Sequence, residues 1–399
     1  MRDTGGEDGN GLPGRRSAVA FIVFIGVVSL FGDMTYEGAR SVTGPFLGTL
    51  GASATLVGFV AGFGELIGYA LRFASGWFGD RTRRYWAGAI VGYALNLGSV
   101  PLLAVAGSSF SAAGLMIAER MGRAIRSPLR DAMLSHAASR TGLGWGFGLH
   151  EALDQTGAVI GPLLVSLILA LTGAYRIAFA LLAIPATMSL ILLLLARRQY
   201  RRPQDLEPLT RSVAVRGFSR GFWPYTTAGA LIGAGYADFA LVAYHFGQSG
   251  VMPAAWIPIC YAIAMAAAGA AALVLGWLFD RVGIAVVAWA AAAAAVATPL
   301  VFLGDFGVCI AGVVLWGLGM GAQDSVLKAA VGHLVPQQHR ATGYGTFDTA
   351  RGIAWFAGSL LLGFLYDRSI YAVVVVSLVL QLLAVPVLLL ALARRRKGA

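Results

Sequence analysis

The sequence contains few charged residues and almost no cysteine. Asp, Glu, Lys and Arg make up 12% of its 399 residues, whereas about 25% is usual for a soluble domain. Hydrophobic residues make up 58%, more than a water-soluble fold of this length can bury. The two cysteines, Cys260 and Cys309, both lie in apolar runs, so we expect neither a disulfide framework nor a cysteine metal site. These shortages exclude a soluble enzyme and a disordered chain, and they favour a protein that crosses a membrane many times.

Apolar stretches long enough to span a bilayer occur at twelve places. A spanning helix requires about 20 apolar residues, and these runs are too long and too evenly apolar for the alternating strands of a β-barrel. The predicted segments are 18–47, 54–77, 84–106, 110–136, 143–172, 174–196, 222–247, 254–279, 283–304, 307–335, 341–366 and 369–393. The sequence therefore predicts an all-α membrane protein with twelve transmembrane helices.

Basic residues lie mostly on one side of these segments. With the N-terminus in the cytoplasm, 20 Lys and Arg residues face the cytoplasm, and only Arg176 and Arg368 face the other side. Because cytoplasmic loops are enriched in Lys and Arg, we expect a multi-pass protein of the plasma (inner) membrane with both termini in the cytoplasm. The formal charge of +11 is then explained by these loops, and no nucleic-acid partner is predicted.

Two halves of the chain repeat each other. Glycine, serine and ionisable residues recur at corresponding positions, at offsets of about 200, as expected for a duplicated six-helix bundle. The matches are Gly76, Asp80 and Arg81 with Gly276, Asp280 and Arg281; Ser127 and Arg130 with Ser325 and Lys328; Glu151 and Asp154 with Asp348 and Arg351; and Glu37 with Asp238. The predicted organisation is a cytoplasmic tail (1–17), a six-helix bundle (18–196), a basic linker (197–221), a second six-helix bundle (222–393) and a basic tail (394–399). Two such bundles, related by a pseudo-twofold axis, usually enclose a substrate site near the membrane midplane.

Three motifs make the sequence resemble the major facilitator superfamily over its whole length. Gly76-Trp77-Phe78-Gly79-Asp80-Arg81-Thr82-Arg83-Arg84 is similar to that family's Gly-x-Leu-x-Asp-Arg-x-Gly-Arg signature, with Arg83 in place of Gly. Glu119-Arg120-Met121-Gly122-Arg123 is similar to its Arg-centred motif in the fourth helix. The run that contains Gly157, Gly161 and Pro162 is similar to the fifth-helix motif of antiporters, although Val165 and Ser166 replace its two following glycines. The resemblance implies a secondary transporter and, through the fifth-helix motif, antiport.

The signature after the second segment also has a physical interpretation of its own. Asp80, Arg81 and Arg84 lie near the cytoplasmic surface, where they can bridge to Asp131 near the inner end of the fourth segment. Such a bridge would form a breakable latch that favours the outward-facing state. The alternative is that these charges only anchor the loop at the lipid headgroups.

Eighteen ionisable residues fall inside the predicted segments, thirteen of them in the first half. Charges in lipid are costly and indicate function by default. The candidate substrate and proton pathway consists of Asp33, Glu37, Arg40, Glu65, Arg120, Arg123, Glu151, Asp154, Asp238, Asp324, Lys328, Asp348 and Arg351. Two functions compete for these groups. In the first, Asp33, Glu37 or Asp154 carries a proton, with Arg120 as its counter-charge. In the second, Arg120 and Arg123 bind an anionic substrate.

A structural role is the third interpretation, and it applies best to charges near the inner surface. Arg126, Arg130 and Asp131 are the main examples. A weaker hypothesis is a soft metal path through His245, Met252, Cys260 and Met265, whose spacing matches no ligand motif.

The sequence thus predicts a monomeric secondary transporter that binds a small solute and protons in the lipid bilayer. Export by antiport is favoured, and proton-coupled import of an organic anion is the alternative. A metal-ion transporter and a non-transporting receptor on the same fold are weaker alternatives. We expect no bound metal, no cofactor and no enzymatic activity, because the chain has no ATP-binding motif and no nucleophile–base pair.

Overall fold

The computed structural model describes residues 7–8, 12–13, 15–82, 84–138, 143–201, 221–282, 285–324, 326–327, 331, 334 and 340–396. The first half contains α1 (Arg15–Arg40), α2 (Thr43–Thr49), α3 (Ala54–Thr82), α4 (Tyr85–Leu102), α5 (Ser109–Ala138), α6 (Leu143–Thr172), α7 (Tyr175–Leu181) and α8 (Ala183–Gln199). The second half contains α9 (Phe222–Gly235), α10 (Phe239–Ser249), α11 (Trp256–Val282), α12 (Ala285–Leu303), α13 (Phe306–Asp324), α14 (Arg340–Tyr366) and α15 (Ile370–Arg396). A 3₁₀ turn (Leu103–Val105) follows α4, and β1 (Glu7–Asp8) pairs antiparallel with β2 (Leu12–Pro13).

These helices coincide with the predicted segments and confirm the all-α membrane fold. Among the residues that the structure describes, ten spans are long and apolar enough to cross a membrane. The two remaining segments of spanning length are α5, with 30 residues, and α14, with 27. Both carry ionisable residues of the predicted pathway, including Arg120 in α5 and Arg351 in α14. The charged helices therefore complete the two six-helix halves.

The first and seventh segments are not continuous helices, in contrast to the prediction. The first is interrupted between α1 and α2, and the seventh between α9 and α10 at residues 236–238. At the second break, backbone carbonyl groups that have no helical partner accept hydrogen bonds from side chains of distant helices. The carbonyl of Gly235 accepts hydrogen bonds from Ser377 Oγ (2.6 Å) and Gln381 Nε2 (3.1 Å), and that of Ala237 accepts one from Trp316 Nε1 (2.8 Å). A broken helix is tolerated here because every freed group must be satisfied within the protein.

The two halves use the same helix pairs. In the first half α1 packs against α6 and α8, and α5 packs against α3 and α4. In the second half α9 packs against α14 and α15, and α13 packs against α11 and α12. The contacts between the halves are related by the same twofold axis. Helix α3 packs against α14, and the equivalent pair, α11 and α6, also packs together. This repetition in space confirms the pseudo-twofold relation that the sequence repeat predicts.

Buried side chains show where the halves join. We call the face at which α1 begins and α15 ends the terminal face, and the other the opposite face. Near the terminal face, each half has its own hydrophobic cluster, around Phe21 and Tyr93 in the first half and around Tyr225 and Phe347 in the second. Towards the opposite face, a single cluster runs through both halves. The halves are therefore packed together at the opposite face and separate at the terminal face.

Small residues allow the closest helix contacts. A Cβ atom added to Gly161 of α6 would lie 2.8 Å from the Cα atom of Met34 in α1. A Cβ atom added to its repeat mate, Gly358 of α14, would meet the backbone of Ala234 in α9. Gly161 belongs to the predicted fifth-helix motif. Gly161 and Gly358 therefore have the same packing role at equivalent positions of the two halves.

We predict that Gly161→Ala destabilises the protein, although alanine is the better helix former. The added methyl group meets backbone rather than a movable side chain, so we expect a loss of about 1–3 kcal/mol. Thermal unfolding of the purified protein in detergent measures this. Gly114→Ala in α5 is the matched control, because nothing lies within 4 Å of its added Cβ. Equal unfolding temperatures for the two variants would contradict the packing role.

Candidate functional site

Asp367 closes the opposite face at the end of α14. Its Oδ1 accepts a hydrogen bond from the backbone N–H of Ala54 (2.9 Å), and its Oδ2 accepts one from the N–H of Thr55 (2.8 Å). The Thr55 hydroxyl also donates to Oδ2. These donors belong to the first turn of α3, whose N–H groups have no partner within the helix. A carboxylate of the second half therefore caps a helix of the first half.

Further contacts join the halves on the same side of the molecule. The Tyr244 hydroxyl of α10 donates to the carbonyl of Ala52 at 3.0 Å, and the Ser166 hydroxyl of α6 donates to that of Ala255 at 2.7 Å. Gly44 of α2 lies against the backbone of Ala240 in α10. The opposite face is closed by backbone packing and by hydrogen bonds between the halves.

A charged pair joins the two interrupted helices. Arg40, the last residue of α1, lies with Nη2 3.6 Å from Asp238 Oδ2, and Asp238 is the N-cap of α10. The same Arg40 nitrogen lies 3.7 Å from Oε1 of Glu65, which also accepts a hydrogen bond from Arg120 Nη1 at 2.7 Å. The C-terminal end of a helix favours a cation and the N-terminal end favours an anion. Both members of the pair therefore lie at helix ends that suit their charge.

Below this pair, a cavity of about 310 Å³ lies between the halves, towards the terminal face. The first half provides most of its wall, from α1, α3, α5 and α6, and Met265 of α11 is the contribution of the second half. Nine ionisable residues line it: Asp33, Glu37, Arg72, Arg123, Arg126, Arg130, Asp131, Glu151 and Asp154. Asp131 and Glu151 are solvent-exposed or nearly so. The cavity is thus polar, and water reaches it from the terminal face.

The buried acids have different partners from those that the sequence predicts. Arg120, the predicted counter-charge of Asp33, Glu37 or Asp154, pairs with Glu65 instead. Asp33 pairs with Arg126 at 3.3 Å, and Arg126 is only 1% exposed and lies over the ring of Tyr93. Arg126, which the sequence places among the structural charges near the surface, is therefore buried in the cavity wall.

Arg130 connects the carboxylates near the mouth of the cavity. Its Nε lies 2.9 Å from Asp131 Oδ1, and its Nη1 lies 3.5 Å from Asp154 Oδ2. Nη1 also donates to Ser29 Oγ at 3.1 Å, and that oxygen lies 2.9 Å from His150 Nε2. Ligand atoms of His150, Glu151 and Asp154 lie within 4.8 Å of one another. The guanidinium beside Asp154 opposes a metal cation at this cluster.

Glu37 is bonded to both halves. Its carboxylate accepts hydrogen bonds from the hydroxyl of Tyr36 in α1 and from that of Tyr261 in α11. Arg123 lies 4.2 Å above the ring of Tyr36, and Arg72 lies 5.7 Å from the ring of Tyr69. Within the described part of the chain, neither Arg72 nor Arg123 forms an ion pair. These two guanidinium groups and Glu37 therefore reach the cavity without an ionic partner.

The second half contributes fewer of the predicted charges. Arg351 is 3% exposed, and its Nη2 donates to Gln323 Oε1 at 3.0 Å. Asp348 lies one turn earlier in α14 and is partly buried. The structure does not describe the surroundings of four other predicted site residues or of one motif glycine: Asp80, Asp280, Asp324, Lys328 and Gly276. The polar cavity therefore lies mainly on the first half, as the distribution of charges predicts.

The predicted latch is only partly within the described residues. Gly76 of α3 lies beside Pro128 of α5, so the second and fourth segments meet near the signature motif. Asp131, the predicted partner of Asp80, accepts from Arg130. In the signature motif, Arg81 lies over the ring of Trp77 and Arg84 is exposed. In the repeat of the motif, Arg281 is also exposed.

Sequence reasoning missed three residues of the site. Asp367 follows an apolar run and looks like an ordinary loop residue, and Tyr261 lies among apolar neighbours. Arg72 is one of the eighteen ionisable residues inside the predicted segments, but it is not among the predicted pathway residues. The useful signal for Arg72 is its position inside the second predicted segment, five residues before the end of that segment at residue 77.

Comparison with known proteins agrees with this geometry. The sequence profile described as Major Facilitator Superfamily matches residues 18–359 and 239–399. An uncharacterized protein of Mycobacterium tuberculosis is 43% identical over 375 residues, which covers 92% of each chain.

Solved structures share the fold at low sequence identity. A crystal structure of the nucleoside transporter NupG matches with a TM-score of 0.75 and 14% identity, covering 94% of this chain and 99% of that one. A bacterial homolog of the human lysosomal transporter Spinster, in an inward-facing and unoccupied conformation, matches with a TM-score of 0.70 and 13% identity, covering 94% and 96%. With the motifs, the duplicated bundle and the profile match in agreement, the chain belongs to the Major Facilitator Superfamily.

Proposed function

We propose that this protein is a secondary transporter of the plasma membrane that exchanges a small polar solute for protons by alternating access. The observation that carries the proposal is the charged cavity of about 310 Å³ between the two halves, closed towards the opposite face. The excess of Lys and Arg at the ends of segments on the terminal face supports a cytoplasmic position for that face. The cavity then opens to the cytoplasm, and the exported solute enters it from there.

Alternating access requires the contacts at the opposite face to break. Asp367 with α3, Tyr244 with Ala52, and Arg40 with Asp238 all connect one half to the other. Rocking of the halves would separate these groups and bring the two separate hydrophobic clusters near the terminal face together. The pseudo-twofold arrangement supports this motion, because the second state uses equivalent helix pairs.

Glu37 is the carboxylate best placed to couple protons to this motion. It lines the cavity and accepts a hydrogen bond from Tyr261 of the other half. When the halves separate, Glu37 loses this hydrogen bond, so its bonding changes together with the packing of the halves. Proton binding and movement of the halves are coupled through this one bond.

A second candidate is proton-coupled import of an organic anion. It is favoured by Arg123, which lines the cavity with its charge unpaired among the described residues. Export and import differ in the direction in which protons move relative to the solute. The sign of the proton signal therefore decides between the two candidates.

We predict that Glu37→Gln uncouples solute movement from protons. The amide oxygen still accepts a hydrogen bond from one tyrosine hydroxyl and the amide NH2 donates to the other hydroxyl, but the group does not take up a proton. Solutes that stabilise the purified protein in a thermal-shift screen are added to proteoliposomes with a pH-sensitive dye inside. Solute entry should make the lumen alkaline for an antiporter and acidic for a symporter. In Glu37→Gln we expect the pH change to fall at least about tenfold, with solute counterflow retained.

Asp305→Asn is the matched control for this prediction. Asp305 is an exposed carboxylate that accepts a hydrogen bond from the N–H of Val308 at 3.0 Å, and it lines neither the large cavity nor the pockets beside it. We expect its proton signal to match that of the unmodified protein. A full pH response in Glu37→Gln would exclude Glu37 as the proton carrier, and absence of flux for every stabilising solute would contradict transport.

We also predict that Asp367→Ala opens the opposite face more often. Loss of a helix cap costs about 1 kcal/mol, which is about a fivefold change in an equilibrium. The reporter is Leu47→Cys, at a buried position of α2, in a background with Cys260→Ala and Cys309→Ala. Labelling by a membrane-impermeant maleimide should become about fivefold faster.

Asp305→Ala provides the matched control on the same face. Asp305 is also an exposed cap, and its Oδ1 accepts from the N–H of Val308 at 3.0 Å within the second half. Its loss should lower the unfolding temperature without changing the labelling rate at position 47. If both variants accelerate labelling equally, the effect is one of general loosening and the role of Asp367 as a gate is wrong.

A further inference from the structure

Two arginines in the cavity wall have more hydrogen-bond donors than the protein satisfies. Arg72 of α3 and Arg123 of α5 line the large cavity and also a smaller adjoining pocket of about 20 Å³. Each guanidinium has five N–H donors and no acceptor. The Nε atom of Arg72 is buried without a hydrogen-bond partner among the described residues. Arg123 has only the ring of Tyr36 as a close partner in that part of the chain.

The neighbouring arginines are already paired. In the smaller pocket, Arg120 donates to Glu65 at 2.7 Å, and Arg40 lies between Glu65 and Asp238. In the large cavity, Arg126 pairs with Asp33 through Nη2, although its buried Nε and Nη1 have no hydrogen-bond partner among the described residues. Arg130 pairs with Asp131 and Asp154. Arg72 and Arg123 therefore stand apart at the junction of the two spaces.

Each acid of the cavity, in contrast, already has at least one donor, although Asp154 Oδ1 is buried without one among the described residues. Besides the ion-paired carboxylates, Glu37 accepts from two tyrosine hydroxyls, and Glu151 accepts from Gln155 Nε2 at 3.0 Å. The guanidinium groups of Arg72 and Arg123 therefore lack hydrogen-bond acceptors, although the cavity holds charged groups of both signs. An acceptor that carries negative charge satisfies a buried guanidinium best, and carboxylate and phosphate groups match its planar geometry.

We propose that Arg72 and Arg123 bind the anionic group of the transported solute, which is a small organic anion with a carboxylate or phosphate group. The inference rests on the proposed transport function and names the substrate class of that same cavity. The anionic group lies where the large cavity meets the smaller pocket, and the remainder of the solute occupies the larger space. The pocket of about 20 Å³ has room for a single water or one oxygen of the anion.

Binding of defined probes to the purified full-length protein tests the proposal. Inorganic phosphate, succinate and the neutral analogue succinamide are titrated at constant ionic strength, with thermal unfolding and calorimetry as readouts. We expect phosphate or succinate to stabilise the protein and succinamide to have no effect. Arg72→Gln and Arg123→Gln should each weaken anion binding by about tenfold or more.

Two further variants control for charge and for folding. Arg197→Gln removes an exposed arginine at the end of α8 and should leave anion binding unchanged. Arg123→Lys keeps the positive charge but lacks the two-pronged geometry, so it should bind several-fold more weakly than the unmodified protein. This variant also provides the test where Arg123→Gln does not fold.

Three results would overturn the anion site: no stabilisation by either anion, equal stabilisation by succinamide, or unchanged anion binding in both glutamine variants. Each leaves the proposed function standing if another solute still drives a pH change in proteoliposomes. Anion binding that depends on Arg72 and Arg123, but without flux of any solute, would support the site and contradict transport.

Discussion

Hydrocarbon offers no partner for a charge or for a free backbone group, and this constraint governs the whole molecule. Nearly every buried ionisable group in the first half is therefore close to another one, as Asp33 is to Arg126 and Glu65 is to Arg120. The same requirement explains why the break before α10 is surrounded by Ser377, Gln381 and Trp316. Groups that lack such partners, above all Arg72 and Arg123, face the cavity, where water or a solute reaches them.

The division of labour between the halves follows from their unequal chemistry on a common fold. Both use the same helix pairs, so each presents an equivalent surface to the other. The first half, however, holds most of the ionisable cavity wall, whereas the second half reaches that region through Met265 and Tyr261. In the proposed cycle, the symmetry of the backbone permits two alternative packings of the halves, and the asymmetry of the side chains favours binding on the first half.

The sequence predicts the helices and the repeat well, because both depend on local patterns. Long apolar runs define the segments, and residues such as Gly161 and Gly358 occur at matching positions of the two copies. The identity of ion-pair partners is not local. Arg120 and Arg126 both belong to α5, about 9 Å apart along the axis at 1.5 Å per residue. Which of them meets Asp33 depends on how far α1 is shifted along α5, and the sequence does not specify that shift. Asp367 is harder still, since its partners Ala54 and Thr55 lie 313 and 312 residues away.

The position of Arg40 reduces the energetic cost of opening the opposite face. Breaking a buried ion pair so that a charge remains without a partner costs about 3–5 kcal/mol, enough to trap a transporter in one state. Arg40 also lies near Glu65 within its own half, so it keeps an anionic partner when Asp238 moves away. Asp238 in turn still accepts the N–H of Ala240 at the start of α10, where a helix end contributes up to about 2 kcal/mol. In the proposed alternating-access cycle, each charge therefore keeps one partner within its own half after the halves separate, which lowers the cost of opening.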